Sequence, residues 1–303
     1  MYTIHFDVDE EIAKYLKGIK YPHWLNEKNK SYQNVEAISI SHLCKFGKST
    51  FQYFPKLKLI ITRSVGVDHI DLEECKRHSI AVYHILDYGA ISIAEHALAL
   101  LLSGTRRLFD ANKKIKKGEF NFRNLLGYSL YNKTIGIIGT GRIGLEFIKL
   151  IKPFNCQIIA YDIYKNEKAA KDLDFSYVSL DELLQKSDII SLHIPLNNDT
   201  HHIIDNNKIQ KMKNGVILIN TSRGGLIHTK ALIDHINKFY FIGLDVLEDE
   251  QSFNKNHPLL NYDNVLITPH IAFYTDETVK LIGKETMHSI ERFTKNDKTG
   301  RVV

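Results

Sequence analysis

Short apolar runs alternate with charged stretches of helical spacing along most of the chain. In the first hundred residues, runs at 2–6, 37–40, 59–62 and 81–83 have the length and branched content of buried strands, while residues 10–16 and 72–77 carry helical spacing. Strand and helix in strict alternation predict a parallel sheet, because parallel neighbours need a crossover between them. Residues 91–108, ISIAEHALALLLSGTRRL, are rich in Ala and Leu and free of proline, which predicts a buried helix between domains. Residues 110–131 lose the periodicity and read as a surface arm or loop.

The alternation restarts at Lys133. Strands are expected at 134–138, 157–161, 189–193, 216–220, 241–245 and 265–268, with helices such as 142–151 and 180–185 between them. Six strands joined by crossovers fit a doubly wound sheet. From Tyr274 onward the chain reads as one amphipathic helix and a polar tail, a helix expected to return to the first domain. A chain of 303 residues suits two α/β domains of Rossmann-like type rather than one core.

Composition narrows the class. Hydrophobic residues at 44% and charged residues at 25% are ordinary for a globular protein. The net charge of +5 comes from lysines scattered along the chain, which argues against nucleic acid as a partner. The N-terminus lacks a basic stretch followed by an apolar one, and no run of about 18 apolar residues follows, so a cytoplasmic location is expected. Cys44, Cys75 and Cys156 are odd in number and far apart, which fits unpaired thiols in a reducing compartment.

The strongest local signal is Gly139-Thr140-Gly141-Arg142-Ile143-Gly144, a G-x-G-x-x-G directly after a strand pattern and at the start of a helical one. Gly139 allows the tight turn, Gly141 lets backbone amides approach a pyrophosphate, and Gly144 lets helix and strand pack closely. Asp162 closes the next strand, where a carboxylate accepts from the adenosine ribose hydroxyls and repels a 2′-phosphate. NAD is therefore expected in preference to NADP.

In doubly wound sheets the ligand lies beyond the carboxyl ends of the strands, so polar residues there matter most. Arg223 follows one strand, the acidic stretch 245–250 another, and His270 a third. A guanidinium holds a carboxylate and its neighbouring carbonyl in a planar, two-pronged geometry and stabilises alkoxide charge. An imidazole supplies the proton, and a carboxylate beside it orients the ring and favours its charged form. Arg223, Glu250 and His270 are the candidates for carbonyl reduction of a keto acid. No metal is expected: the pair His201-His202 points to opposite sides if extended and lacks acidic or cysteine partners in sequence.

With these residues in view, the chain resembles the D-isomer-specific 2-hydroxyacid dehydrogenases over essentially its whole length. Seven ordered blocks carry the resemblance: SVGVDHIDL from Ser64, SIAEHAL from Ser92, GIIGTGRIG from Gly136, SDIISLHIPL from Ser187, INTSRGGLI from Ile219, GLDVLEDE from Gly243 and TPHIAFYT from Thr268. It implies that Arg223 binds substrate, that Glu250 pairs with His270, and that His270 donates the proton. It also implies NAD contacts from Arg142, Ile143, Asp162, Ile194, Pro195, Thr200, Thr221, Ser222 and Asp245, and a substrate carboxylate held near Val65 and Gly66. It further implies a nucleotide domain at 102–270 inserted into a substrate-side domain of 1–101 and 271–303, and a homodimer with the arm at 110–131 reaching across. The stretch 270–275 resembles the D-lactate dehydrogenase branch, with Tyr274 shaping the pocket and pyruvate as first substrate. The stretch 250–260 is shorter than in some of those enzymes, so glyoxylate, hydroxypyruvate or a bulkier 2-keto acid stays open. A non-catalytic NAD-sensing protein of the same fold is the rival of another class. Formate enzymes of this fold tend to place glutamine where Glu250 stands, which disfavours that branch.

Overall fold

The structure, a computed structural model, describes every residue except Pro22, residues 24–31, Asp87, Tyr88 and Asp249, and the side chain of Gln251. The chain divides into two compact units, Met1–Gly89 with Tyr274–Val303, and Ala90–Phe273.

In the first unit, β1 (Thr3–His5), α1 (Glu10–Ala13), β2 (Ile19–Lys20), β3 (Ala37–Ile40), β4 (Leu59–Thr62), α2 (Leu72–Arg77) and β5 (Ala81–His84) follow in order. The strands form one parallel sheet ordered β2-β1-β3-β4-β5. Ile38, Ile60 and Val82 bury on one face, and Ala37, Leu59, Ile61 and Tyr83 on the other. Coverage of both faces is why these runs are continuously apolar rather than alternating. Asp9 and Asp71 cap the two helices by accepting from Ile12 N and Glu74 N. The helix expected at 10–16 stops at Ala13, where the amides of Tyr15 and Leu16 tighten to carbonyls three residues back.

The second unit opens with α3 (Ala90–Thr105) and α4 (Leu108–Lys116). The arm predicted from residue 110 is therefore helical as far as Lys116. Its apolar residues Leu108, Phe109 and Ile115 stay exposed, and the Arg107–Asp110 ion pair with Lys113, Lys114 and Lys116 near the C-terminus stabilises it. Then come β6 (Thr134–Ile138), α5 (Arg142–Ile151), β7 (Gln157–Tyr161), α6 (Glu167–Leu173), β8 (Ser176–Tyr177), α7 (Leu180–Lys186), β9 (Ile189–Leu192), α8 (Asn206–Lys211), β10 (Val216–Asn220), α9 (Thr229–Asp234), β11 (Phe239–Leu244) and β12 (Val265–Ile267). The sheet is parallel throughout and ordered β12-β11-β10-β9-β6-β7-β8, one short edge strand more than expected. Strand order reverses between β6 and β9, the switch point where such sheets bind ligands. Ala94, Ala97 and Leu101 of α3 pack with Phe147, Ile148 and Ile151 of α5, so residues 90–101 lie within this unit.

Past Thr275, whose hydroxyl caps the helix, α10 (Asp276–Thr294) rejoins the first unit, as anticipated, and lays Ile290 and Phe293 on Tyr83, Leu59 and Ile61. The tail after it is not a free polar end. Val302 N donates to Val82 O at 2.7 Å, and Arg301 pairs antiparallel with Tyr83, because Val302 and Val303 have an apolar surface to cover. Among the described residues no helix is long and apolar enough to cross a membrane.

Candidate active site

At the switch point the chain leaves β6 into a turn only glycine fits. Gly139 has φ +99°, and a Cβ there would stand 2.4 Å from the His193 carbonyl oxygen. A Cβ on Gly144 would stand 2.0 Å from Gly139 O, so α5 approaches the turn as closely as backbone permits. Around Gly141, by contrast, a Cβ would meet nothing within 4 Å: space is open in front of the α5 N-terminus, with Arg142 and Ile143 in its first turn. That combination of a packed floor and an open front fits a dinucleotide pyrophosphate. Asp162, just past β7, accepts from Thr140 N at 2.6 Å and from Tyr164 N at 2.9 Å, which fixes its carboxylate at the rim.

Under this turn lies His193, buried, with its Nε2 paired to Ser191 Oγ at 2.9 Å. Burial pushes the ring down to about 3, so it is a neutral structural imidazole. Ile194 and Pro195 follow it, and Thr200 closes their turn by donating to Pro195 O at 2.7 Å. Past β10, Ser222 Oγ donates to Leu192 O at 2.8 Å, and Asn220 braces the turn through Ser222 N and Arg223 O. The buried Thr221 hydroxyl finds no partner among the described residues, an orphan polar atom of the kind a bound ligand satisfies.

Arg223, Glu250 and His270 follow β10, β11 and β12, three adjacent strands, so all three stand on one edge of one sheet. The Arg223 turn packs directly on the loop leading to Glu250: a Cβ on Gly224 would lie 1.9 Å from the Leu247 carbonyl carbon. His270 Nδ1 lies 3.0 and 3.2 Å from the two Glu250 oxygens, which fix the orientation of the ring. The ring is largely buried, edge-on to Phe273.

What positions that ring is Asp245, expected from the sequence only as a cofactor contact. Its carboxylate is buried and accepts from Thr268 Oγ1 at 2.5 Å, Ile271 N at 2.9 Å and Ala272 N at 2.8 Å, while its carbonyl accepts His270 N. His96, from α3, adds a bond from Nε2 to Thr268 Oγ1 at 3.0 Å and lies 3.4 Å from Asp245. Sequence reasoning gave His96 no role, although a lone imidazole in an otherwise apolar helix was a signal that a buried acid stood opposite. The latch holds His270 at φ +55°, a left-handed backbone unusual for a side chain of this size.

Val65, Gly66 and Tyr274 belong to the first unit. Ser64 Oγ donates to Gly66 O at 2.7 Å and His84 Nδ1 lies 2.8 Å from Val65 O, shaping a turn whose Val65 and Gly66 amides have no acceptor among the described residues. Burial first, and the Asp9 carboxylate second, push the Tyr274 hydroxyl above its ordinary value.

Contrary to expectation, His201 and His202 neither point to opposite sides nor lack an acidic partner. His202 sits at φ +53° in a turn, not in an extended run, so the two rings lie side by side at 3.7 Å, and Glu248 bonds His202 Nε2 at 2.5 Å.

Residues 98–272 match the family model of the D-isomer specific 2-hydroxyacid dehydrogenase, NAD binding domain. A crystal structure of D-lactate dehydrogenase from Aquifex aeolicus, complexed with NAD and lactic acid, superposes with a TM-score of 0.90 at 37% identity over 99% of each chain. A hydroxypyruvate reductase of Thermotoga maritima is 38% identical over 268 residues, 88% of this chain and 87% of its own. A glyoxylate reductase of Thermofilum pendens is 40% identical over 232 residues, 74% of this chain and 68% of its own.

Proposed function

The chain belongs to the D-isomer-specific 2-hydroxyacid dehydrogenase family, and on that premise we propose that it reduces pyruvate to D-lactate. It is an NAD-dependent oxidoreductase, and the glycine turn, Asp162 and the orphan Thr221 hydroxyl fit that cofactor. The observation that carries the mechanism is the His270–Glu250 pair on the sheet edge that also bears Arg223.

When bound, NADH supplies the hydride that reduces the substrate carbonyl. Arg223 grips the carboxylate and draws charge from the carbonyl oxygen, worth most in a site closed to water. Glu250 holds Nδ1, so His270 delivers its proton from Nε2 and takes it back in the oxidative direction. The amides of Val65 and Gly66, with no acceptor among the described residues, are our candidate for holding the carboxylate, with Tyr274 as a substrate-side residue. We place the protein in the cytoplasm, working on small molecules rather than nucleic acid, a reading supported by its free thiols. We also propose a homodimer, since Phe120, Phe122 and Leu126 of the arm are each at least 88% exposed.

The likeness to the D-lactate enzyme over nearly the whole chain favours pyruvate, and the hydroxypyruvate and glyoxylate relatives support the second reading. NADH oxidation measured against pyruvate, hydroxypyruvate, glyoxylate, phenylpyruvate and 2-ketoisocaproate tests it. The highest kcat/KM is expected with pyruvate. A higher value for any other acid overturns the substrate assignment, and no turnover with any of them overturns the 2-keto acid reductase reading.

A further inference from the structure

A second cluster of ligating side chains stands apart from the proton donor. The segment at 202–204 pairs in parallel with 225–228: His202 N donates to Gly225 O, Ile204 N to Leu226 O, and His228 N to Ile204 O. This pairing sets the rings of His202 and His228 4.6 Å apart, and the turn conformation of His202 brings His201 to 3.7 Å on its other side. Glu248 closes the group. One of its oxygens meets His202 Nε2 at 2.5 Å, and the other accepts Thr229 N at 3.0 Å, a main-chain bond that holds the carboxylate toward the rings.

We propose that His201, His202 and Glu248 form a binding site for a divalent transition-metal ion of the zinc type, with His228 as the fourth donor. One ligand atom from each of the first three lies within 4.8 Å of the others. Tetrahedral zinc holds its ligand atoms about 3.3 Å apart, so small side-chain rotations close the site. Two or three neutral imidazoles with one carboxylate are the donor set that prefers zinc, copper or nickel over magnesium or calcium. The Thr229 amide is the outer bond that orients a ligating carboxylate. The ion takes the place of the hydrogen bond between His202 and Glu248, and because imidazole and carboxylate ligate a metal only when deprotonated, binding weakens in acid.

Such a site ties together three loops at the sheet edge, and one of them reaches Glu250 two residues after Glu248. Metal bound here braces the carboxylate that orients His270 without touching the reacting atoms.

The test is direct binding. The chain, stripped with a chelator, is titrated with Zn²⁺ against a chromophoric competitor near neutral pH, and with Co²⁺ to read the visible band of a tetrahedral site. One equivalent of tight binding and a strong Co²⁺ band are expected. His202→Ala and Glu248→Gln should each lower affinity at least tenfold, on the scale set by loss of a ligand. His201→Ala, at an exposed side chain, probes the same site where the fold is not at risk. His270→Ala, which leaves His201, His202 and Glu248 in place, should leave the affinity unchanged. Absence of competition for Zn²⁺ overturns the proposal, as does affinity that survives His201→Ala and falls with His270→Ala. These readouts do not depend on turnover, so they stand whichever 2-keto acid the enzyme prefers.

Discussion

In the first unit the chain leaves β1 through Phe6-Asp7-Val8-Asp9 into a helix of four residues; in the second it leaves β6 through Gly139-Thr140-Gly141 into a helix of ten. Both turns connect a parallel strand to its crossover helix. The first carries Asp7, Asp9, Glu10 and Glu11 where an anion would sit, and Asp9 already occupies the helix amides. The second offers open space in front of Gly141 over a floor that excludes any Cβ. The same topology therefore repels a pyrophosphate in one place and receives it in the other. What decides is turn chemistry rather than fold.

The sharpest way to break this contrast is to show that chemistry does not reside in the second unit. His270→Ala should lower kcat by at least about 10²-fold, the scale of a positioned general acid, in steady-state NADH oxidation. Unchanged turnover removes the proton-donor role and with it the assignment.

Acid tests both units through one buried imidazole each. His5 is pushed down to about 4, by burial first and partly offset by its bond to Lys17 O, and His193 is pushed down to about 3 by burial. Unfolded, both titrate near 6.5, so below that pH the unfolded chain binds the protons first. Their contribution is full above about pH 6.5 and is lost as pH falls toward 4 for His5 and 3 for His193. For His5 the loss amounts to about 3 kcal/mol. Thermal melts recorded across this range should show Tm falling with pH, with a shallower fall for His5→Gln or His193→Asn.

A smaller effect separates the two turns themselves. Asp162→Ala should raise KM for NADH about tenfold, the worth of one or two charge-assisted hydrogen bonds, and narrow its advantage over NADPH. Smallest of all, Asp9→Ala should cost about 1 kcal/mol of stability through the lost cap and leave KM for NADH unaltered. A cofactor effect from Asp9→Ala would erase the distinction drawn here.

Much of this was legible before any coordinates. Strands at 37–40, 59–62, 134–138, 157–161 and 216–220 follow from apolar runs buried on both faces, and α2 and α5 from helical spacing. The glycine turn was readable because each glycine answers a separate steric demand. Less visible were features made by contacts distant in sequence. Helix α4 buries none of its residues, and its few apolar positions, Leu108, Phe109, Ala111 and Ile115, sit among Asn and Lys that read as loop. Strand β8 is two residues long. The Asp245–Thr268–His96 latch joins three segments distant in sequence, and only the His96 imidazole on its helix hinted at it. His201 and His202 misled, because alternation was assumed where the chain turns left-handed.

The left-handed backbone of His270 carries a consequence for substitution at this position. A residue with a branched or ring-bearing side chain held at φ +55° costs about 1–2 kcal/mol that glycine does not incur. Glycine at 270 would relieve that cost while abolishing proton delivery. The backbone at this position therefore sets firmness of the fold against the proposed proton delivery: His270→Gly is expected to gain stability while it loses turnover.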